Sequence, residues 1–108
     1  MCNIERFKKN RVNLFIMPDE KIARAIKAKV RREILQILCQ KEKIPVHEIA
    51  NKLNITESSA SKHLKLLYDL GFVNFEEKHP EKFYFLKIKE IRELFQVYNK
   101  IIKKLRGE

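Results

Sequence analysis

The chain has 108 residues, of which 44% are apolar and 35% are charged, and its 24 basic and 14 acidic side chains give a net charge of +10. This length accommodates one domain, and the apolar fraction is too high for a disordered chain. Two cysteines are too few for a disulfide framework and favour the reducing cytoplasm, the short apolar runs exclude a membrane-spanning helix, and the basic excess suits a polyanionic partner.

The first part of the chain predicts an extended segment followed by two helices. Residues 12–17 indicate a short strand or arm within an N-terminal extension over residues 1–17. Pro18 begins a helix, because proline suits a first turn and the acidic residues after it suit the positive end of the helix dipole. Apolar residues then continue at helical spacing to Leu38 without Gly or Pro. We expect two helices with a bend near residues 27–29, although the pattern also allows one long helix.

A helix-turn-helix is predicted over residues 46–70. Ile44-Pro45 is an extended step, because the residue before a proline disfavours helix. A short helix over residues 46–53 and a longer one over residues 57–70 follow. The residues that suit the helix ends, as C-cap, N-cap and stop signal, are Asn54, Thr56 and Gly71.

The spacing of apolar residues changes after the helix-turn-helix. Residues 72–78 and 83–87 alternate like strands, and residues 79–82 between them indicate a hairpin loop. This hairpin, over residues 72–88, would be the wing of a winged helix-turn-helix. A long amphipathic helix follows over residues 88–105, within a C-terminal segment 88–106. The predicted fold class is mainly α with a small β-hairpin: one winged helix-turn-helix domain over residues 1–108, with an N-terminal extension and a C-terminal dimerisation helix.

The helix over residues 57–70 has two different faces. Ala60, Leu64 and Leu67 share one side, and small polar or cationic residues occupy the opposite side and flank. Serine hydroxyls can bond base edges, and lysines can reach guanine or phosphate. The helix therefore suits a DNA major groove, although a solvated helix face is the alternative. His63, near the apolar side, suits packing and hydrogen bonding better than metal ligation.

The last helix carries an apolar stripe along its length. Its members are Ile91, Phe95, Tyr98, Ile102 and Leu105. The stripe could pack on its own domain. A self-complementary contact with a second copy is favoured, since such two-fold contacts are the commonest way to cover a face of this kind. We therefore predict a homodimer through this helix.

Two segments resemble the ArsR-type winged-helix repressors: residues 25–38 their opening helices, and residues 49–67 their helix-turn-helix. In particular, Ser58, Ser61, His63 and Leu64 match a Ser-x-x-Ser-x-His-Leu pattern typical of that recognition helix. The resemblance implies a homodimeric, sequence-specific regulator that binds double-stranded DNA, usually as a repressor. The composition, rich in Ile, Lys and Glu, also looks archaeal. The candidate DNA-binding residues are Thr56, Ser58, Ser59, Ser61, Lys62, Lys65, Lys78, His79 and Lys82.

The chain also departs from the family pattern. Ala28-Lys29 stand where many members have Asp-Pro. Pro45 and His47 stand where many have a metal-binding Cys-x-Cys pair, so a thiolate metal site is not available there. The last helix lacks histidine, and Cys39 suits a buried core position. We therefore expect no metal ligands, no cofactor and no evident small-molecule or metal effector, and no catalytic residues, because the chain lacks both a Gly-rich phosphate loop and a catalytic set.

The distribution of charge keeps other functions open. Residues 56–88 carry equal numbers of acidic and basic side chains, so attraction to DNA would come mainly from the opening helices and the N-terminal arm. The neutral wing allows a winged-helix module that docks on protein in the transcription machinery. The overall charge allows a non-specific architectural protein that coats DNA. The operator, the regulated genes and the sign of regulation do not follow from these residues.

Overall fold

The computed structural model describes residues 18–108, and the predicted N-terminal arm over residues 1–17 lies outside them. Within this range the order of elements is α-helix, α-helix, short strand, α-helix, α-helix, β-hairpin and α-helix, as predicted apart from the short strand. The elements are α1 (Pro18–Lys27), α2 (Lys29–Gln40), β1 (Ile44–Pro45), α3 (Val46–Leu53), α4 (Glu57–Leu70), β2 (Val73–Lys78), β3 (Glu81–Leu86) and α5 (Ile91–Leu105).

The opening helices are separated by a single residue. Ala28 has an extended backbone, with φ −93° and ψ 138°, between α1 and α2. The prediction of two helices with a bend is therefore confirmed. Because α1 ends without a glycine or a side-chain cap in its own sequence, the carbonyls of its last turn need donors from elsewhere. Arg31 and Arg32 of α2 provide them, as described below.

The predicted helix ends of the helix-turn-helix are confirmed. Asn54 follows α3 in the left-handed conformation, with φ 56°. The hydroxyl oxygen of Thr56 accepts a hydrogen bond of 3.0 Å from the backbone N–H of Ser59, at the start of α4. Gly71 ends α4 with φ 92°, a conformation that glycine adopts without a steric penalty. Asn54 and Thr56 therefore confine the turn between α3 and α4 to the few residues between the two helices.

The wing is a three-stranded antiparallel sheet with the strand order β1-β3-β2. The predicted four-residue loop is wrong, because Glu81 pairs with Lys78 and Lys82 pairs with Glu77, which leaves a turn at His79 and Pro80. Ile44-Pro45 was predicted as an extended step only. It forms a third strand, because Ile44 lies opposite Tyr84 and Pro45 opposite Phe83.

The hydrophobic core joins all the helices to the sheet. Ile34, Leu35, Leu38, Ile49, Leu64 and Leu67 are among its fully buried side chains. The last helix, α5, begins at Ile91, three residues later than predicted. Its residues Ile91 and Phe95 are buried and belong to the core. Among residues 18–108, none of the helices has the length and hydropathy to cross a bilayer.

Candidate nucleic-acid interface

The outward face of α4 is small, polar and cationic. Ser58, Ser61, Lys62 and Lys65 are exposed, whereas Ser59 is half-buried behind the cap formed by Thr56. The buried side of the same helix consists of Ala60, Leu64, Leu67 and Leu70. Packing of that apolar side on α2 and α3 fixes which residues α4 presents outward, so its exposed face has the chemistry that reads base edges.

The two lysines of α4 differ in their partners. The ammonium of Lys65 lies 3.2 Å from a carboxylate oxygen of Asp69, and both side chains are more than half exposed. An exposed pair of this kind stabilises by at most about 1 kcal/mol, so a phosphate can compete for Lys65. Lys62 has no ion-pair partner within residues 18–108. An anion can therefore approach Lys62 without first displacing a carboxylate of the described residues.

The wing brings a further cation to the recognition helix. The ammonium of Lys82 lies 4.7 Å from the centre of the Phe75 ring, which restrains this side chain over the sheet. Phe75 also packs on Tyr68 of α4, with ring centres 5.2 Å apart. A cleft of about 340 Å³ between α4 and the wing is lined in part by Ser61, Lys65 and Lys82. Lys78 and His79 are exposed at the wing tip, away from this cleft's lining.

Two residues that precede the helix-turn-helix or begin it, Lys43 and His47, contact carboxylates of the wing. Lys43 donates a hydrogen bond of 2.6 Å to Glu76, and this bond, together with the charge of Lys43, lowers the pKa of the Glu76 carboxyl. His47 lies 2.6 Å from a carboxylate oxygen of Glu81. Each pair joins a residue that precedes α4 in the chain to a residue of the β2–β3 hairpin. The pair of Lys43 with Glu76 reduces the repulsion that the Glu76 carboxylate would exert on a phosphate.

The stripe predicted for dimerisation on α5 divides into an inner and an outer part. Ile91 and Phe95 are 4% and 3% exposed within this chain, and Tyr98 packs edge-on against Phe95. Ile102 is half-buried, and Leu105 is 78% exposed. The exposed apolar side chains of this helix are Leu94, Val97, Ile101 and Leu105.

An apolar groove continues this outer part towards α1. It has a volume of about 460 Å³, and its lining includes Ile22 of α1, Phe72, Ile88 and Leu94. Ile22 and Ile88 are also among the exposed large apolar residues. The face that α1 and α5 share, defined by Ile22, Ile88, Leu94, Val97, Ile101 and Leu105, is called the α1–α5 face below.

Comparison with known proteins identifies the family. The family model described as "Bacterial regulatory protein, arsR family" matches residues 28–74. The arsenical resistance operon repressor of Bacillus subtilis is 32% identical over 71 residues, which are 66% of this chain and 68% of that protein. The chain belongs to the arsR family.

Two more relatives of this arsR-family protein cover most of its length. The transcriptional activator HlyU of Vibrio cholerae is 25% identical over 101 residues, 92% of this chain and 86% of that protein. A homodimeric winged helix-turn-helix DNA-binding domain from Mycobacterium bovis shares the fold, with a TM-score of 0.76 at 20% identity and 92% of each chain covered. The winged helix-turn-helix fold class is therefore confirmed. These relatives are bacterial and give no support to the archaeal interpretation of the composition.

The positions at which this arsR-family member departs from the pattern have structural roles of their own. His47, at a position of the Cys-x-Cys pair, is engaged with Glu81. Ala28, at a position of the Asp-Pro pair, supplies the extended link between α1 and α2. Cys39, which was expected at a buried core position, is only half-buried against the edge of the core, and burial raises the pKa of its thiol while Arg92 opposes that rise. Residues 18–108 contain no group of three or more His, Cys, Asp or Glu side chains placed to hold a metal ion.

Proposed function

We propose that this protein is a transcriptional regulator that binds double-stranded DNA as a homodimer and recognises its operator with α4. The observation that carries the proposal is the exposed Ser58, Ser61, Lys62 and Lys65 face of α4, with Lys82 of the wing lining the same cleft as two of these residues. Hydroxyl and ammonium groups along one helix face can read base edges, and a wing beside it can hold the neighbouring phosphates. The B. subtilis and M. bovis relatives, described as a repressor and as a DNA-binding domain, support this function.

In this proposal, contacts to the phosphate backbone of DNA come from five residues: Thr56, Ser59, Lys78, His79 and Lys82. Thr56 and Ser59 lie at the start of α4, where the positive end of the helix dipole favours a phosphate, and the N–H of Ser59 is itself bonded to the Thr56 hydroxyl. Lys78 and His79 are exposed at the end of the hairpin. We assign base reading to Ser58, Ser61, Lys62 and Lys65, since their side chains project from the outward face of the helix.

The second copy is proposed to cover the α1–α5 face. Six large apolar side chains are exposed along it, and the groove of about 460 Å³ beside Leu94 leaves room for a side chain of the partner. Ile91 then contributes to the lining of this groove, Phe95 supports the interface from the core, and Tyr98 and Ile102 lie at its edge. A two-fold dimer would place two α4 helices about 34–36 Å apart, which matches a palindromic site.

We take repression as the direction of regulation, following the B. subtilis relative, although the HlyU relative is an activator. A protein of this kind would act in the cytoplasm, where bacterial DNA is. A reporter gene under the protein's own promoter tests the direction, since a repressor lowers its expression.

The test of the function itself is binding to the protein's upstream promoter duplex and to a scrambled duplex over a salt series. A preference of about a hundredfold or more for the promoter, with a linear fall of log affinity with log salt, supports the proposal. Equal binding to both duplexes would indicate an architectural protein. Absence of binding would favour a protein-docking module, for which the supporting feature is the cleft whose lining includes Glu57, Glu77 and Glu81 beside Lys82.

A further inference from the structure

Two arginines of α2 close the end of α1. The guanidinium of Arg31 donates two hydrogen bonds to the carbonyl oxygen of Arg24, from Nε at 3.0 Å and from Nη2 at 2.8 Å. Arg32 donates from Nη1 to the carbonyl oxygens of Ile26 at 2.7 Å and Lys27 at 3.0 Å. These carbonyls lie in the last turn of α1, where no further helical N–H follows. Both arginines therefore serve as C-terminal caps that are supplied by the next helix.

Arg31 differs from Arg32 because it also reaches the recognition helix. Its Nη1 lies 3.4 Å from Nδ1 of His63 on α4. A guanidinium has donors only, so Nδ1 must accept this hydrogen bond and the ring hydrogen must be on Nε2. The contact therefore requires a neutral imidazole. One side chain thus connects the end of α1, the start of α2 and the flank of α4.

The surroundings of His63 favour the neutral ring. Burial lowers the pKa of His63, and the charge of Arg31 lowers it further. Arg24 and Lys27 of α1 and Arg31 line the same concave surface as Leu66 of α4, together with the carboxylate of Glu20. Cations outnumber carboxylates on the elements packed against this flank. A protonated His63 would therefore add a like charge and remove the acceptor for Arg31.

We propose that Arg31 is a positioning residue that couples the α1–α5 face to the recognition helix, by joining the end of α1 to α4 through His63. The proposal rests on the proposed function. Helix α1 carries Ile22, which belongs to the face that a second copy would cover, and α4 carries the residues that would read DNA. Docking of the second copy on α1 would thereby change the position of α4, because the contact between Arg31 and His63 joins the two helices.

The experiment compares variants at the two arginines and at His63. Arg31→Met removes the cap and the contact with His63, and Arg32→Met is the matched control, because it removes a cap and an equal charge but no contact with α4. We expect Arg31→Met to reduce the ratio of promoter to scrambled-duplex affinity about tenfold, as for loss of one hydrogen bond to a charged donor. The ratio in Arg32→Met should stay within about threefold of the wild-type value, since Arg32 caps α1 without a contact to α4.

Substitutions of His63 test the contact from the other side. His63→Gln keeps an oxygen that can accept from Arg31, whereas His63→Leu does not. The glutamine variant should keep wild-type discrimination and hold it constant from pH 8 to pH 5.5. The wild-type protein should lose discrimination as the pH falls below 6.5 towards the lowered pKa of His63, where the folded ring gains a proton. Equal discrimination in His63→Leu and His63→Gln would overturn the proposal, even if Arg31→Met fails to fold.

A measurement without DNA separates this proposal from the proposed function. The ring resonances of His63 in NMR spectra report its tautomer and pKa. Ile22→Glu should shift these resonances by disturbing the α1–α5 face, and the shift should vanish when Arg31 is methionine. A shift that persists without Arg31 contradicts the coupling. Coupling in these spectra without promoter preference would refute the proposed function and leave the structural link standing.

Discussion

Replacement of Lys62 by alanine tests the placement of α4 in a major groove. Lys62 is exposed and has no ion-pair partner within residues 18–108, so the substitution removes one cation without releasing a carboxylate. It also leaves the buried side of α4 unchanged, because that side is formed by Ala60, Leu64, Leu67 and Leu70. The folded state should therefore keep its stability within about 0.5 kcal/mol, as is usual for a surface substitution.

The size of the expected effect depends on what Lys62 contacts. A lysine that bonds a base edge contributes about 1–3 kcal/mol of discrimination, so two helices in a dimer contribute roughly 2–6 kcal/mol. The lower value corresponds to about a 30-fold loss of promoter preference. A lysine that contacts phosphate only would weaken binding to all duplexes alike and reduce the salt slope by about 0.9 for each lost contact.

The assay is fluorescence anisotropy with promoter and scrambled duplexes at several salt concentrations. Lys100→Ala is the matched control, since Lys100 is another exposed helical lysine, on α5. We expect Lys62→Ala to lose promoter preference and Lys100→Ala to retain it. If the two variants show the same preference and the same salt slope, α4 does not lie in the groove as proposed.

Three further predictions concern assembly, stability and pH. Val97→Glu places a charge in the α1–α5 face, on a residue that is 55% exposed, and should convert the dimer to a monomer in analytical ultracentrifugation. The neighbouring Gln96→Glu should leave the dimer intact. A dimer that persists in Val97→Glu would place the interface elsewhere. Thr56→Ala should lower the free energy of unfolding by about 1 kcal/mol and Tm by roughly 4–8 °C, whereas Thr56→Ser should not, because only the alanine lacks the oxygen that accepts from Ser59. The folded pKa of His63 lies below its ordinary value of 6.5, so the unfolded chain binds more protons between these two values. The urea midpoint of unfolding should therefore fall as the pH drops below about 6.5 towards the folded pKa. A similar fall in His63→Gln would refute this cause.

Local signals account for the parts of the fold that were predicted correctly. Thr56, Asn54 and Gly71 act on backbone groups within four residues, so their effect does not depend on the rest of the chain. The same holds for the polar outward face of α4, because helical spacing alone puts Ser58, Lys62 and Lys65 opposite Ala60 and Leu64.

Contacts between residues that are distant in the sequence could not be predicted from local signals. Two residues of β1 carry no strand periodicity, and their partners in β3 are about 40 positions later in the chain. Glu81 and Lys82 look like turn residues, yet the register of β3 against β2 extends the strands to the end of the hairpin. The contact of Arg31 with His63 spans 32 positions, and no motif in either helix indicates it.

For this arsR-family protein, the sequence by itself determined the helices, the caps of the helix-turn-helix, the presence of a hairpin and the polar face of α4, since each depends on hydrogen bonds and periodicities that act over a few residues. Only the tertiary structure decided which apolar residues of α5 remain outside. Ile91 and Phe95 repeat with the same spacing as Leu105, but packing against α2 and the core buries the first two and leaves the third 78% exposed. Burial depends on what lies opposite a helix, and a periodic pattern specifies a face of the helix without specifying its partner.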